Sequence, residues 1–138
     1  MDYTSKMMKG KIISALRKVA RSCDAIKSAE KRQKRAPAVF ECEHCNCYCY
    51  IGKSSANYQL NRNIFYDKVV KHENIARDHV LPVIDPIDPS YDWNDIIRRL
   101  MPIDPQEPPY PIQILCKACH KVKTQAENAL RRKSRKKA

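Results

Sequence analysis

Residues 113–124 read QILCKACHKVKT, and the order Cys116, Cys119, His120 within them governs the reading of the whole chain. Cysteines three positions apart in a tight turn bring two sulfurs to one point, about 2.3 Å from a shared zinc ion. A second such pair, Cys42 and Cys45, lies in AVFECEHCNCYCYI at 38–51. Two matched pairs complete a tetrahedral four-thiolate site of structural type. Cys47, Cys49 and His44 stand beside the first pair, so two sulfurs from that run are expected to bind, with Cys42 and Cys45 the leading pair. Cys23 has no partner in sequence and is expected to be a buried helix residue. Seventy residues lie between Cys45 and Cys116, far beyond the roughly 15–20 of a plain zinc ribbon. The metal is therefore expected to clamp something larger, and His120 is left over once four thiolates saturate it.

The chain has 138 residues, room for one domain with appendages. Its net charge of +12 is unevenly spread. Residues 1–36 carry eleven Lys/Arg against three acids, 37–116 carry seven against eleven, and 117–138 carry nine against one. Basic ends around an acidic centre suit a polyanion, DNA or RNA above all. No apolar run approaches the roughly 20 residues of a membrane span, and the first residues lack the uninterrupted apolar core of a signal peptide. The expected location is cytoplasmic, where cysteines serve metals before disulfides.

Local patterns give the elements. Residues 5–36 read as helical, with Ile12, Leu16, Val19 and Ala20 forming an apolar stripe, and Ser22 capping a second helix over 24–35. The run 38–51 reads as strand and turn. GKSSANYQLNRNI at 52–64 is polar and loop-like, and 65–81 holds a second strand. Eight of the nine prolines fall in 82–111. Within that excursion, Trp93, Ile96, Ile97 and Leu100 have helical spacing as core packing, with Ser90 or Asp92 as cap. IQIL at 112–115 reads as a strand, a helix runs from Lys117 to about 132, and 131–138 is a basic tail. In ARDHVLP at 76–82, neighbouring Asp78 and His79 serve one site only where a strand ends or bulges. A carboxylate and two imidazoles are what metal-assisted phosphodiester cleavage requires.

The order Cys-x2-Cys, Asp-His, then Cys-x2-Cys-His with Lys-x-Lys-Thr resembles the HNH endonucleases, in particular their zinc-clamped, phage-type branch. FECEHC, DHVLPVIDP, YDWNDIIRRL and QILCKACHKVKT carry the resemblance over residues 40–125, and GKIISALRKVARS is similar to the helical leader of phage members. The resemblance implies an α+β fold, a small ββα-metal, treble-clef-like core clamped by a four-cysteine zinc site, with N-terminal helices and a basic C-terminal helix. It implies a basic helical extension at 1–37, a nuclease domain at 38–130 and a tail at 131–138. It implies His79 as general base, Asp78 and His120 as ligands of a catalytic Mg2+ or similar divalent ion, and DNA as partner, with phage DNA-processing proteins a further one. Lys117, Lys121, Lys123, Arg131 and Arg132 would meet phosphates. The family's middle asparagine falls at Pro111, which brings no ligand side chain, and His72 is a weaker candidate for the site. The other readings are a zinc-stabilised nucleic-acid-binding protein without catalysis, and an interaction adaptor using segment 82–111.

Overall fold

The computed structural model describes residues 6–80 and 92–137. Its elements, in chain order, are α1 (Lys6–Ala20), α2 (Asp24–Gln33), β1 (Lys34–Ala36), β2 (Val39–Glu41), β3 (Tyr48–Tyr50), α3 (Ser55–Ile64), β4 (Val70–His72), β5 (Ala76–His79), α4 (Trp93–Leu100), β6 (Ile112–Leu115) and α5 (Lys117–Lys137). The fold is α+β, with a four-stranded sheet ordered β1-β2-β3-β4 and a separate two-stranded sheet of β5 and β6.

Alternation in 38–51 explains the first sheet. Successive strand residues face opposite ways. Val39, Tyr48 and Tyr50 enter one buried cluster with Val70. Phe40 and Cys49, paired across β2 and β3, enter the other. That larger cluster also takes Ala25, Ile26 and Ala29 from α2, and Ile112, Ile114 and Leu115 from β6. Helix α2 therefore belongs to the main core and is not a detached leader. Burying both faces of the sheet costs it the solvated side that short antiparallel sheets often keep.

Several expected elements differ. Residues 52–64, read as a loop, hold α3. Ser54 caps it, accepting a hydrogen bond from the Asn57 backbone N–H at 3.1 Å, an interaction of about 1 kcal/mol. None of its residues is fully buried, and Tyr58 packs only partly against the cluster of β2, β3 and β4. The single strand expected over 65–81 is two strands in different sheets. β4 runs parallel to β3, and β5 runs antiparallel to β6. Ser22 does not cap α2, because its hydroxyl donates back to the Val19 carbonyl; Cys23 occupies the cap position, half-buried against the main core.

On α1 the apolar face runs through Ile13 and Ala20, while Val19 is exposed. Ile13 and Ala20 lie seven apart, two helical turns along one face. On α4, Ile96 and Leu100 are buried and Ile97 is exposed, and Asp92 is the cap. Helix α5 continues through most of the basic tail, to Lys137. Ser90, the other expected cap, lies outside the described residues, as does the rest of 82–91. Among the described residues no helix is long and apolar enough to cross a membrane.

Candidate metal centre and adjoining polar site

The first sulfur pair comes from the turn between β2 and β3. The Cys42 backbone N–H bonds the Cys47 carbonyl at 2.8 Å, and the Asn46 N–H bonds the Cys42 carbonyl at 3.0 Å. Asn46 sits at φ 63°, the left-handed region that asparagine tolerates better than most residues. The second pair comes from the start of α5, where β6 ends at Leu115 and Cys116 precedes the first helical turn. Glu43 ties the two regions together. Its backbone N–H donates to the Ile114 carbonyl at 2.8 Å, and its carboxylate accepts from the Ile114 N–H at 2.5 Å.

The Sγ atoms of Cys42, Cys45, Cys116 and Cys119 all lie within 4.8 Å of one another and could hold a metal ion such as zinc. Zn–S bonds of about 2.3 Å set tetrahedral sulfurs about 3.8 Å apart, and Cys45 Sγ stands 3.7 Å from Cys116 Sγ. The donor set therefore fits zinc. Cys47 and Cys49 are buried nearby but outside this set, and His44 is exposed on the turn.

The thiols are unequal. Burial opposes ionisation of Cys116, but the Cys119 backbone N–H and neighbouring thiols donate to its sulfur and bring it down to about 6. The same balance lowers Cys45, where burial is outweighed by hydrogen bonds from Cys47, Cys42 and Cys119. Burial, with the charge of Glu73, pushes Cys49 up to about 11. Lys71 Nζ approaches Cys116 Sγ at 3.7 Å. Although its burial disfavours the ammonium, the facing sulfurs of Cys47 and Cys116, with the Glu73 carboxylate, raise it. An ammonium here offsets negative charge on a four-thiolate centre.

Beside this centre lies a polar site on β5, β6 and α5. Asp78 opposes Gln113 in the β5–β6 register, and Gln113 Nε2 donates to Asp78 Oδ2 at 2.8 Å. Lys123 Nζ reaches the same oxygen at 3.0 Å, donates to the His79 carbonyl at 2.9 Å and pairs with Glu127. Burial of Lys123 favours its neutral form, but Glu127 and Asp78 outweigh that and raise its pKa. The other oxygen, Asp78 Oδ1, faces His120 Nε2 at 3.6 Å. His79 closes β5, and its Nε2 bonds the Leu100 carbonyl at 2.8 Å. A carbonyl only accepts, so a neutral His79 carries its proton on Nε2 and keeps Nδ1 as a basic lone pair.

Asp78, His79 and His120 line one cavity of about 540 Å³. The four-sulfur group contains none of them. Adjacent Asp78 and His79 both reach it because β5 ends there. Pro111 contributes only its backbone carbonyl, accepting from Val80 N–H at 2.9 Å.

Other candidates are placed differently. His72 lies on β4, stacked on Tyr58 with ring centroids 4.7 Å apart, and bonds the Gly52 carbonyl at 2.7 Å. It takes no part in the polar site. Lys123, expected to meet phosphates, is half-buried between Asp78 and Glu127. Lys117, Lys121 and Arg132 are exposed, while Arg131 lines the cavity. Gln113 and Glu127 were missed by the sequence reading. The signal for Glu127 was its spacing: His120, Lys123, Glu127 and Arg131 recur every three or four residues and share one face of α5. Gln113 had no such signal, because only the register sets it against Asp78. Comparison with models of known families, with curated proteins and with solved structures finds no match to this chain.

Proposed function

We propose that the protein is a metal-dependent DNA endonuclease of the HNH type, with a ββα-metal, treble-clef-like core formed by β5, β6 and α5. The observation that carries this reading is the meeting of Asp78, His79 and His120, drawn from separate stretches of chain, in one cavity beside a four-cysteine group. His79 Nδ1 takes a proton from water, whose oxygen attacks phosphorus; the P–O3′ bond breaks, leaving a 5′-phosphate and a 3′-hydroxyl. The Leu100 carbonyl orients the imidazole, and Gln113 and Lys123 hold Asp78 Oδ2 so that Oδ1 faces His120.

The donor set suits a divalent ion that keeps most of its water. Asp78 Oδ1 and His120 Nε2, 3.6 Å apart, are the two groups that would hold it. Such an ion supplies charge neutralisation at the phosphate and at the leaving oxygen. Zinc in the cysteine site holds the β2–β3 turn against α5.

The test is relaxation of supercoiled plasmid with Mg2+ or Mn2+. Nicking by the unmodified protein that disappears in His79→Ala, with DNA binding retained, supports the enzyme. A second reading, a zinc-stabilised DNA-binding protein, draws on Lys123 at Asp78 and on the side chain lacking at Pro111. Binding without cleavage by the unmodified protein selects it.

A further inference from the structure

The cavity that contains Asp78, His79 and His120 has a wall the chemistry above does not use. Helix α1 contributes Arg17 and Ala20 to it, and the turn that follows contributes Arg21. Ala20 is buried at 2 % exposure, because α1 packs against α4 and α4 supplies the Leu100 carbonyl that orients His79. The end of the helix is thus seated beside the site, with Arg17 on its last turn and Arg21 just past it lining the cavity. Across the cavity Arg131 ends the charged stripe of α5.

The charge balance there is lopsided. Arg77 is paired with Glu30, and Lys123 with Asp78 and Glu127. Arg17 and Arg21 have no carboxylate partner among the described residues, and Arg131 meets only the Asn128 side-chain oxygen, at 3.1 Å. Three guanidinium groups around one cavity without their own acids repel one another, and an anion with several oxygens relieves that repulsion. Guanidinium is also the side-chain group best matched to a phosphate in bidentate geometry. Arg17 stands on the last turn of α1 and Arg21 is the first residue past it, and both line the cavity.

We propose that Arg17 of α1 and Arg21 of the turn after it, with Arg131 of α5, form a backbone clamp that grips phosphates of one nucleic-acid strand and lays it across the cavity. The clamp rests on the nuclease reading for its purpose, but its ligand, a run of phosphodiesters, follows from the arginines alone. Arg17 and Arg21 act as positioning residues, and α1 becomes a working wall of the site.

The experiment uses the full chain purified with zinc and a fluorescein-labelled 16-base-pair duplex, read by anisotropy with no added divalent ion across a salt series. Arg17→Ala/Arg21→Ala is compared with Lys11→Ala/Lys18→Ala, which removes equal charge from another face of α1, where Lys11 and Lys18 line a separate groove. Circular dichroism melts confirm that both variants fold. The clamp predicts at least a tenfold loss of affinity for the arginine pair and less than a threefold loss for the lysine pair. It also predicts that the slope of log affinity against log salt flattens by about 2 for the arginine pair alone, as expected when two phosphate contacts are lost. Equal losses for the two pairs, or less than a threefold loss for the arginine pair, overturn the proposal. The two readings separate cleanly. Selective loss of binding in a protein that never nicks plasmid keeps the clamp and removes the nuclease. Nicking by the unmodified protein with equal losses for the two pairs keeps the nuclease and removes the clamp.

Discussion

Gln113 Nε2 donates to Asp78 Oδ2 at 2.8 Å across the β5–β6 pair. The bond divides the carboxylate into a held oxygen and a free one that faces His120. A group that orients a metal-binding carboxylate typically matters 10–100-fold for affinity or activity. On the proposed nuclease reading, Gln113→Leu is therefore expected to lower plasmid cleavage by about that factor and to raise the divalent-ion concentration needed for half-maximal rate. Titration of nicking rate against Mn2+ measures both. An unchanged Mn2+ requirement would deny Gln113 this orienting part.

The sulfur cluster makes a separate prediction. One zinc per chain is expected by elemental analysis, and Co2+ substitution should give the thiolate charge-transfer and visible bands of a tetrahedral sulfur site. Cys116 is fully buried where β6 meets α5, so Cys116→Ser should lose the metal and melt far below the parent, since structural zinc contributes on the order of 10 kcal/mol in small domains. Equal zinc content and melting temperature in the variant would contradict a structural site.

Thiol reactivity should follow the pKa shifts. The thiolate is the nucleophile. Cys45 is exposed and lowered, so in metal-free protein its alkylation by iodoacetamide should begin at lower pH than for an ordinary thiol. Cys49 is buried and held at about 11, so it should stay unmodified at neutral pH. Zinc should protect Cys45, and peptide mapping by mass spectrometry reads all three effects. Linkage gives the stability trend. Cys116 is depressed from 9.0 to about 6, so its contribution is fully present above 9.0 and is lost as pH falls through about 6. Metal-free protein should thus lose stability on acidification from pH 9 to 6, and a melting series that stays flat would contradict the shift.

Helix α4 separates two neighbouring isoleucine and leucine positions. Leu100 is 1 % exposed and Ile97 is 38 % exposed. Leu100→Ala should cost about 2–5 kcal/mol in urea unfolding, as buried leucine truncations do. Ile97→Ala should cost less than about 1 kcal/mol, the range of surface substitutions. Comparable losses would place both side chains in the core.

The sequence alone was enough for the two cysteine pairs and their convergence into a group that could hold one metal ion, because three-residue spacing is a local property that any tight turn converts into a bite. It was enough for α4 and α5 as well, where spacing and caps agree, and for Asp78, His79 and His120 as candidates. Other features were decided only by tertiary structure. Helix α3 buries none of its residues fully, and its mostly polar run became a helix only where Tyr58 packs against the small cluster of the first sheet. The division of 65–81 between two sheets depends on pairing with β3 and β6, which are remote in sequence. Gln113 reaches Asp78 through register, and Arg17 joins Arg131 through the packing of α1 on α4. Such relationships arise from burial of distant apolar faces against one another, and a one-dimensional pattern records which faces are apolar without recording which of them meet.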